Sequence, residues 1–321
     1  MQKTHKTNLI LTCVCVILVL LAIPKLVINS KGKNVKTLES ALLNTKYLPK
    51  INSIYLGDSV DNLHFSKVND NWLCTYGDLT FYAESKIVSE LLKNFSKTRT
   101  LIKVSSDFKS HESYGLAENG AFNVSFYEED SNGNKNLFSS IYFGIENSDR
   151  TMVYLRNDRK ADVYSTQNDM YQYFNTRLET FSIMELLPLQ DSKSENSVEI
   201  IEITDFTAET PYSKIQKLGD EKFSDNVHTA FSLRGATLLS EDILVNSNMK
   251  KLKSITLKTS KNTFYNLEIY SYTNGVTEEQ YFVKTNFSGK NPTVNYVLEI
   301  SSWTKSRLDF GSTMSEEPKQ R

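Results

Sequence analysis

Cysteine is scarce: the chain holds three among 321 residues. Cys13 and Cys15 lie inside an apolar N-terminal stretch, which leaves Cys74 alone in everything that follows. No intramolecular disulfide framework can form there, so packing must hold the globular part together. Glycine and proline are also few, 12 and 6, against 17 Tyr and 17 Phe. Few breakers and many aromatics favour pleated surfaces joined by polar turns. An excess of charge of one sign is missing too, since the formal net charge is -1. Such a chain has no field to attract a polyanion, and nucleic acid is not an expected partner. The basic run Lys250, Lys251, Lys253, Lys258 and Lys261 reads as a solvated strand face.

Catalytic and metal motifs are absent as well. There is no G-x-S-x-G elbow, no H-E-x-x-H helix and no Cys pair, and His5, His64, His111 and His228 are isolated. "SGKNPT" lacks the first glycine of a phosphate loop, and the segment 115–120 lacks the following Lys-Ser/Thr. The densest group of reactive side chains is "HFSKVNDNW", with His64, Ser66 and Asp70. As a strand it puts His64 and Ser66 on one face, but Asp70 falls in the turn beyond and points along the hairpin, so a tight turn is the expectation. The pair His111 and Glu112 beside Tyr114 is the best remaining ligand candidate. Glu128, Glu129 and Asp130 read as a solubilising hairpin tip, and Cys74 as a small core residue on the Trp72 face of its strand. No catalytic, cofactor-binding or metal residue is assigned.

One long apolar run is present. Residues 7–24 carry no charge, and apolar character resumes after Lys25. As a helix, residues 9–28 span about 30 Å, the thickness of a hydrocarbon core, with Lys25 snorkelling to the interface. A convincing small-x-small cleavage site is missing, and Thr12-Cys13 does not suit a lipoprotein cysteine, so an uncleaved single-pass anchor is expected. The tail 1–8 stays inside and the bulk of the chain lies outside the cytoplasmic membrane, although Lys25, Lys31, Lys33 and Lys36 outnumber Lys3 and Lys6.

Behind the anchor, Val35, Leu38, Ala41, Leu42 and Leu43 fall near helical spacing, which predicts a juxtamembrane helix or stalk over residues 29–48. Residues 49–190 then read as a first α+β half. A hairpin closes around Asn69, Asp70 and Asn71 before Trp72. "AESKIVSELLKNFSK" follows with Ile87, Val88, Leu91, Leu92 and Phe95 at helical steps. Four meander strands come next, with turns at 118–120, 130–134, 146–150 and 157–160, and "QNDMYQYFNTRLETF" reads as a closing helix. The polar segment 188–197 marks a boundary. Residues 198–311 repeat the design: "VEIIEI" answers "INSIYL", "YSKIQKLGDEKF" answers "FSKVNDNWL", Tyr281 stands for Tyr154 and Tyr296 for Tyr164. Residues 312–321 are polar and expected to be unstructured. The fold class is α+β and β-rich: two similar halves of antiparallel meander sheets, each with one or two packed helices, preceded by one transmembrane helix.

The order of hairpin ending in Trp72, helix, "YGL" (Tyr114, Gly115, Leu116), "YFG" ending in Gly144, "VYL" around Tyr154 and "VYST" around Tyr164 resembles the bacterial domain of unknown function 4340 family (DUF4340). The likeness is good over residues 51–189 and weaker over 198–310. Its motifs are structural: Gly115 and Gly144 look like turn positions needing positive φ, and Tyr154 and Tyr164 like sheet-face aromatics. "YGLAENGAF" departs from the pattern by lacking a proline just before the strand. The resemblance implies an N-terminally anchored, single-pass, extracytoplasmic accessory to a membrane complex such as an ABC-type transporter, with a permease or related envelope protein as partner. It supplies no active site and no cofactor. Two alternatives belong to other classes: a receptor for envelope sugars or peptides using a cleft between the halves, and an envelope-polymer hydrolase with converging carboxylates.

Overall fold

The computed structural model describes residues 36–69, 71–187, 199–207, 212–245, 248–273, 279–287, 294–310 and 315–318. The expected anchor, the boundary segment 188–197 and Asp70 lie outside them. Among the described residues no helix is long and apolar enough to cross a membrane.

In chain order the first half holds β1 (Thr37–Ser40), β2 (Ser53–Gly57), β3 (Asn62–Val68), β4 (Asn71–Tyr76), β5 (Leu79–Tyr82), α1 (Ser85–Ser96), β6 (Arg99–Ser105), β7 (Phe122–Glu129), β8 (Lys135–Glu146), β9 (Met152–Asn157), β10 (Val163–Gln167) and a single turn α2 (Leu178–Phe181). The second holds β11 (Ile200–Thr207), β12 (Tyr212–Lys217), α3 (Phe223–Ser232), β13 (Thr237–Ser240), β14 (Met249–Thr259), β15 (Phe264–Tyr272), β16 (Gln280–Phe287), β17 (Tyr296–Ile300), α4 (Ser302–Arg307) and β18 (Ser315–Pro318). Ten strands form one antiparallel sheet in the order β1-β6-β10-β9-β8-β7-β2-β3-β4-β5, and eight form another in the order β13-β17-β16-β15-β14-β11-β12-β18.

Seven consecutive places in these orders correspond. Reading β6-β10-β9-β8-β7-β2-β3 against β13-β17-β16-β15-β14-β11-β12 matches each strand with its sequence counterpart. Tyr281 on β16 thus takes the place of Tyr154 on β9, and Tyr296 on β17 that of Tyr164 on β10. The halves differ where a hairpin was expected twice. Trp72 sits in β4, whereas Phe223, its supposed counterpart, opens α3, so among the described residues the second sheet has no counterpart of the β4–β5 hairpin.

The first core lies on one face of the ten-stranded sheet, because strand residues alternate in direction. Ile54, Leu56, Phe65, Cys74, Phe81, Val124, Phe126, Ile141 and Phe143 all face it. α1 covers them with Val88, Leu91 and Phe95, spaced three and four apart. The Glu84 carboxylate accepts from the Lys86 amide and caps the helix start, and extended Lys97 ends it. Phe95 meets Phe126 and Phe143 edge-on at 5.2 and 5.8 Å. In the second sheet Ile203, Ile255, Leu257, Leu267 and Ile269 face Phe223 and Ala230 of α3. The two cores form one continuous cluster.

Three local expectations fail. The stalk is no α-helix where it is described; its only helical turn is the 3₁₀ helix Thr45–Lys50 at its end. Thr37–Ser40 is β1, hydrogen-bonded to β6, with Leu38 half exposed and Leu42 and Leu43 buried in the first core. The extended edge gains ladder partners that an isolated helix of this length would lack. The pattern expected to close the first half as a helix gives only a 3₁₀ turn at Tyr171–Tyr173 and α2. Asn175 interrupts it, accepting through its side chain from Arg177 N and Thr180 Oγ1. In the tail, Ser315–Pro318 pairs with β12 as an edge strand.

The sheets meet through Asn295. Its amide side chain accepts from Thr80 N at 2.6 Å and donates to Asp78 O at 2.8 Å, and its own N–H donates to Thr80 O. Leu186 N donates to Leu233 O, Gly235 N to Met184 O, and Thr285 Oγ1 to Leu186 O. Asn295→Ala should cost about 1–3 kcal/mol by leaving these junction groups unpaired. A lower urea midpoint, with earlier proteolytic cleavage between the halves, is the expected readout.

Candidate functional site

The opening cluster resolves into an arrangement that its sequence order did not suggest. Register places Tyr55 and Thr75 beside His64, and Ser53 and Leu73 beside Ser66. His64 Nε2 lies 3.0 Å from Ser53 Oγ and 4.0 Å from a Glu129 carboxylate oxygen. Its ring stacks on Tyr55 at 4.2 Å, Tyr127 meets Tyr55 edge-on at 5.5 Å, and the Lys135 ammonium lies 4.6 Å over the Tyr55 ring and binds its hydroxyl. This is the face of the first sheet opposite its core, built from β2, β3, β7 and β8. It brings together Ser53, His64 and Glu129 rather than Ser66, and Asp70 lies outside the described residues.

The geometry does not make a relay. A serine–histidine–acid relay uses the two ring nitrogens for two different partners, but here Ser53 and Glu129 both address Nε2. Ser53 is buried, so its hydroxyl acts within the sheet. What the group can do is bind: it offers a carboxylate, an ammonium and two tyrosine rings held in place by one another.

Burial of the ring, and secondarily the Lys135 ammonium, hold the His64 imidazole below its ordinary value, against the opposing pull of Glu129. The folded state therefore keeps this ring neutral where an unfolded histidine, with a pKa of about 6.5, binds a proton. The stability involved is complete above that value and declines as pH falls through it towards the lower folded value. The urea midpoint should drop between about pH 7.5 and about pH 5.5, and His64→Gln should shrink that drop.

The same face continues through polar residues to the quoted motifs. Ser125 Oγ donates to Asn123 Oδ1 and lies 2.8 Å from Ser140 Oγ, and Asn123 Nδ2 donates to Ile141 O. The Arg156 guanidinium, fully buried, lies 3.9 Å over the Tyr142 ring and donates to Leu116 O. Tyr114 packs on Tyr154 at 4.6 Å. "YGL" thus touches "VYL" through Tyr154 and "YFG" through Gly144, contacts that their separation in sequence concealed. Gly115 has φ 66°, as expected. Gly144 does not have positive φ; it is small because a Cβ there would stand 2.0 Å from Tyr114 O. Tyr154 is a face aromatic, and Tyr164 donates to Asp162, which also pairs with Lys103 at 2.7 Å.

The other candidates are structural where they are placed. His111 Nε2 lies 3.2 Å from Ala161 O and its ring lies 5.3 Å from Phe108. Among the described residues no three His, Cys, Asp or Glu side chains are grouped to hold a metal. Trp72 and Cys74 face the core; burial pushes the Cys74 thiol up, far from a thiolate. Asp130 accepts from the Asn132 and Asn134 amides and shapes the β7–β8 turn.

Two cavities lie beside β1, not at the junction of the halves. One, of about 370 Å³, is lined by Leu38, Leu42, Leu101, Phe138, Tyr164 and Asp158. The other, of about 300 Å³, borders Arg99, which donates to Asp169 and to Asn94 O at 2.8 Å.

No curated protein and no solved structure matches this chain. The model of the family described as "Domain of unknown function (DUF4340)" matches residues 75–285, from within β4 to within β16 and across both sheets. With more than half of its length inside that match, the chain belongs to the DUF4340 family.

Proposed function

We propose that this chain is a single-pass, extracytoplasmic, non-enzymatic module that attaches to a membrane complex such as an ABC-type transporter through a permease or related envelope protein. The observation that carries the reading is the state of the polar groups on the outer face of the first sheet. Ser53, His64, Glu129, Lys135 and Arg156 are each committed to neighbours within the sheet. Tyr55, Tyr127 and Tyr142 are braced by rings or cations. Aromatic side chains already fixed in place offer contact area at little further entropic cost. The uncharged stretch 7–24 supports the tether.

Fractionation tests both parts. The full chain should stay with membranes after alkaline washing, should require detergent for release, and should co-purify in mild detergent with an identified permease subunit. Release by alkali alone would remove the anchor. Repeated purification of the chain by itself would remove the partner. A second reading, a ligand-binding receptor, is favoured by the cavity beside β1, whose size suits a small molecule. A panel of envelope sugars and peptides should then raise the thermal midpoint, and Leu101→Trp should abolish the rise.

A further inference from the structure

Lys253 contradicts the expectation of a solvated lysine face. On β14 it shares a face with Ile255 and Leu257, and like them it is buried, as is Asp205 on neighbouring β11. Its ammonium lies 2.8 Å from Asp205 Oδ2, 2.9 Å from Leu308 O and 2.9 Å from Asp309 Oδ1. Apolar side chains flank the pair: Ile255 lies opposite Asp205 on β14, and Leu308, whose carbonyl meets the ammonium, is buried; Lys214 of β12 lies opposite Asp205 on its other side. Asp205 Oδ1 is buried with no hydrogen-bond partner. An ion pair of full charges in such a place carries a large desolvation cost and here leaves one carboxylate oxygen unserved.

We propose that Lys253 and Asp205 are a modification site at which the chain forms an intramolecular isopeptide bond, with Asp309 as the proton carrier. The ammonium first gives a proton to Asp205, which makes a neutral amine beside a neutral acid. The nitrogen lone pair then attacks Cγ. Asp309, whose carboxylate already touches the nitrogen and is half open to solvent, accepts the proton released from nitrogen and returns it to the departing hydroxyl. One C–N bond forms, one C–O bond breaks and one water leaves; no oxidant, reductant or other reactant is consumed. Burial pushes the Asp205 carboxyl up, against the pull of Lys253, so its neutral form is within reach. The product removes two buried charges, and its single N–H faces the Leu308 carbonyl that the ammonium already touches. Aspartate and lysine would thus join β11 covalently to β14 in a chain whose Cys74 is its one described cysteine.

The test is peptide mass spectrometry on the full chain purified from membranes in detergent and digested with trypsin after denaturation. The expected result is a branched peptide, one water lighter than the sum of the segments bearing Lys253 and Asp205, with no cleavage after Lys253. In Asp309→Ala, which keeps both reacting residues, the branched species should fall at least tenfold while circular dichroism stays unchanged. Normal cleavage after Lys253 with two separate peptides of unaltered mass would overturn the bond. A branched peptide undiminished in Asp309→Ala would overturn the part given to Asp309.

Discussion

Gly144→Ala unfolds at a much lower urea concentration than the wild type, a loss of about 3 kcal/mol or more. The reason is the atom in the way. A Cβ at Gly144 would lie 2.0 Å from Tyr114 O and 3.0 Å from Leu116 Cγ. A flexible side chain could swing aside, but Tyr114 O belongs to a backbone pinned on both sides. Leu116 N donates to His111 O, and Arg156 Nε donates to Leu116 O. Relief therefore requires the segment around Tyr114 to lift off β8, which exposes buried Leu116 and strips buried Arg156 of an acceptor. Gly120→Ala is the matched control, since a Cβ there meets nothing within 4 Å and the backbone is not in the left-handed region. It should change the midpoint little. Equal losses in the two variants would show that the "YGL" and "YFG" contact does not hold this face together.

Lys253→Met destabilises the second sheet by about 3–5 kcal/mol, because it removes the link between Lys253 and Asp205, bonded or ion-paired, and leaves the Asp205 carboxyl buried with neither oxygen served. Asp205→Leu should cost a similar amount for the reciprocal reason. Lys253→Met combined with Asp205→Leu should be more stable than either single change, since both groups are then replaced by packing side chains and no charge is stranded. Chemical denaturation of all four proteins closes this cycle. A double variant no better than the worse single one would mean that Lys253 acts by itself through Leu308 O and Asp309.

Much of the architecture was legible because it rests on local periodicity. Val88, Leu91 and Phe95 sit on the buried stripe of α1 as their spacing required, and the meander turns at 130–134 and 157–160 fall between strands. The likeness of "INSIYL" to "VEIIEI" and of "FSKV" to "YSKI" falls on corresponding strands of the two sheets. What stayed hidden depends on pairing between distant segments. Nothing in the order of residues says that Glu129 and Ser53 will meet His64, because register alone joins β7, β2 and β3. Thr37–Ser40 looked helical because its apolar spacing fits either form; β6, some sixty residues later, decides the matter. Lys253 was different, for its signal was present. It stands in phase with Ile255 and Leu257, two and four residues on, and that alternation places it inside. Counting it among neighbouring lysines, without regard to parity, gave the opposite answer.

The place of β1 has a practical consequence for solubility. It is a short terminal strand at the edge of the ten-stranded sheet, bearing Glu39 and preceded by Lys36, and short charged borders discourage one molecule from adding its sheet to another. A fragment beginning at residue 49 would discard it and bare β6, seven residues long, with Ile102 and Val104 among them. Such a fragment should self-associate and precipitate where the longer chain remains monodisperse, so any truncation meant to free the globular portion for crystallisation should begin ahead of residue 36.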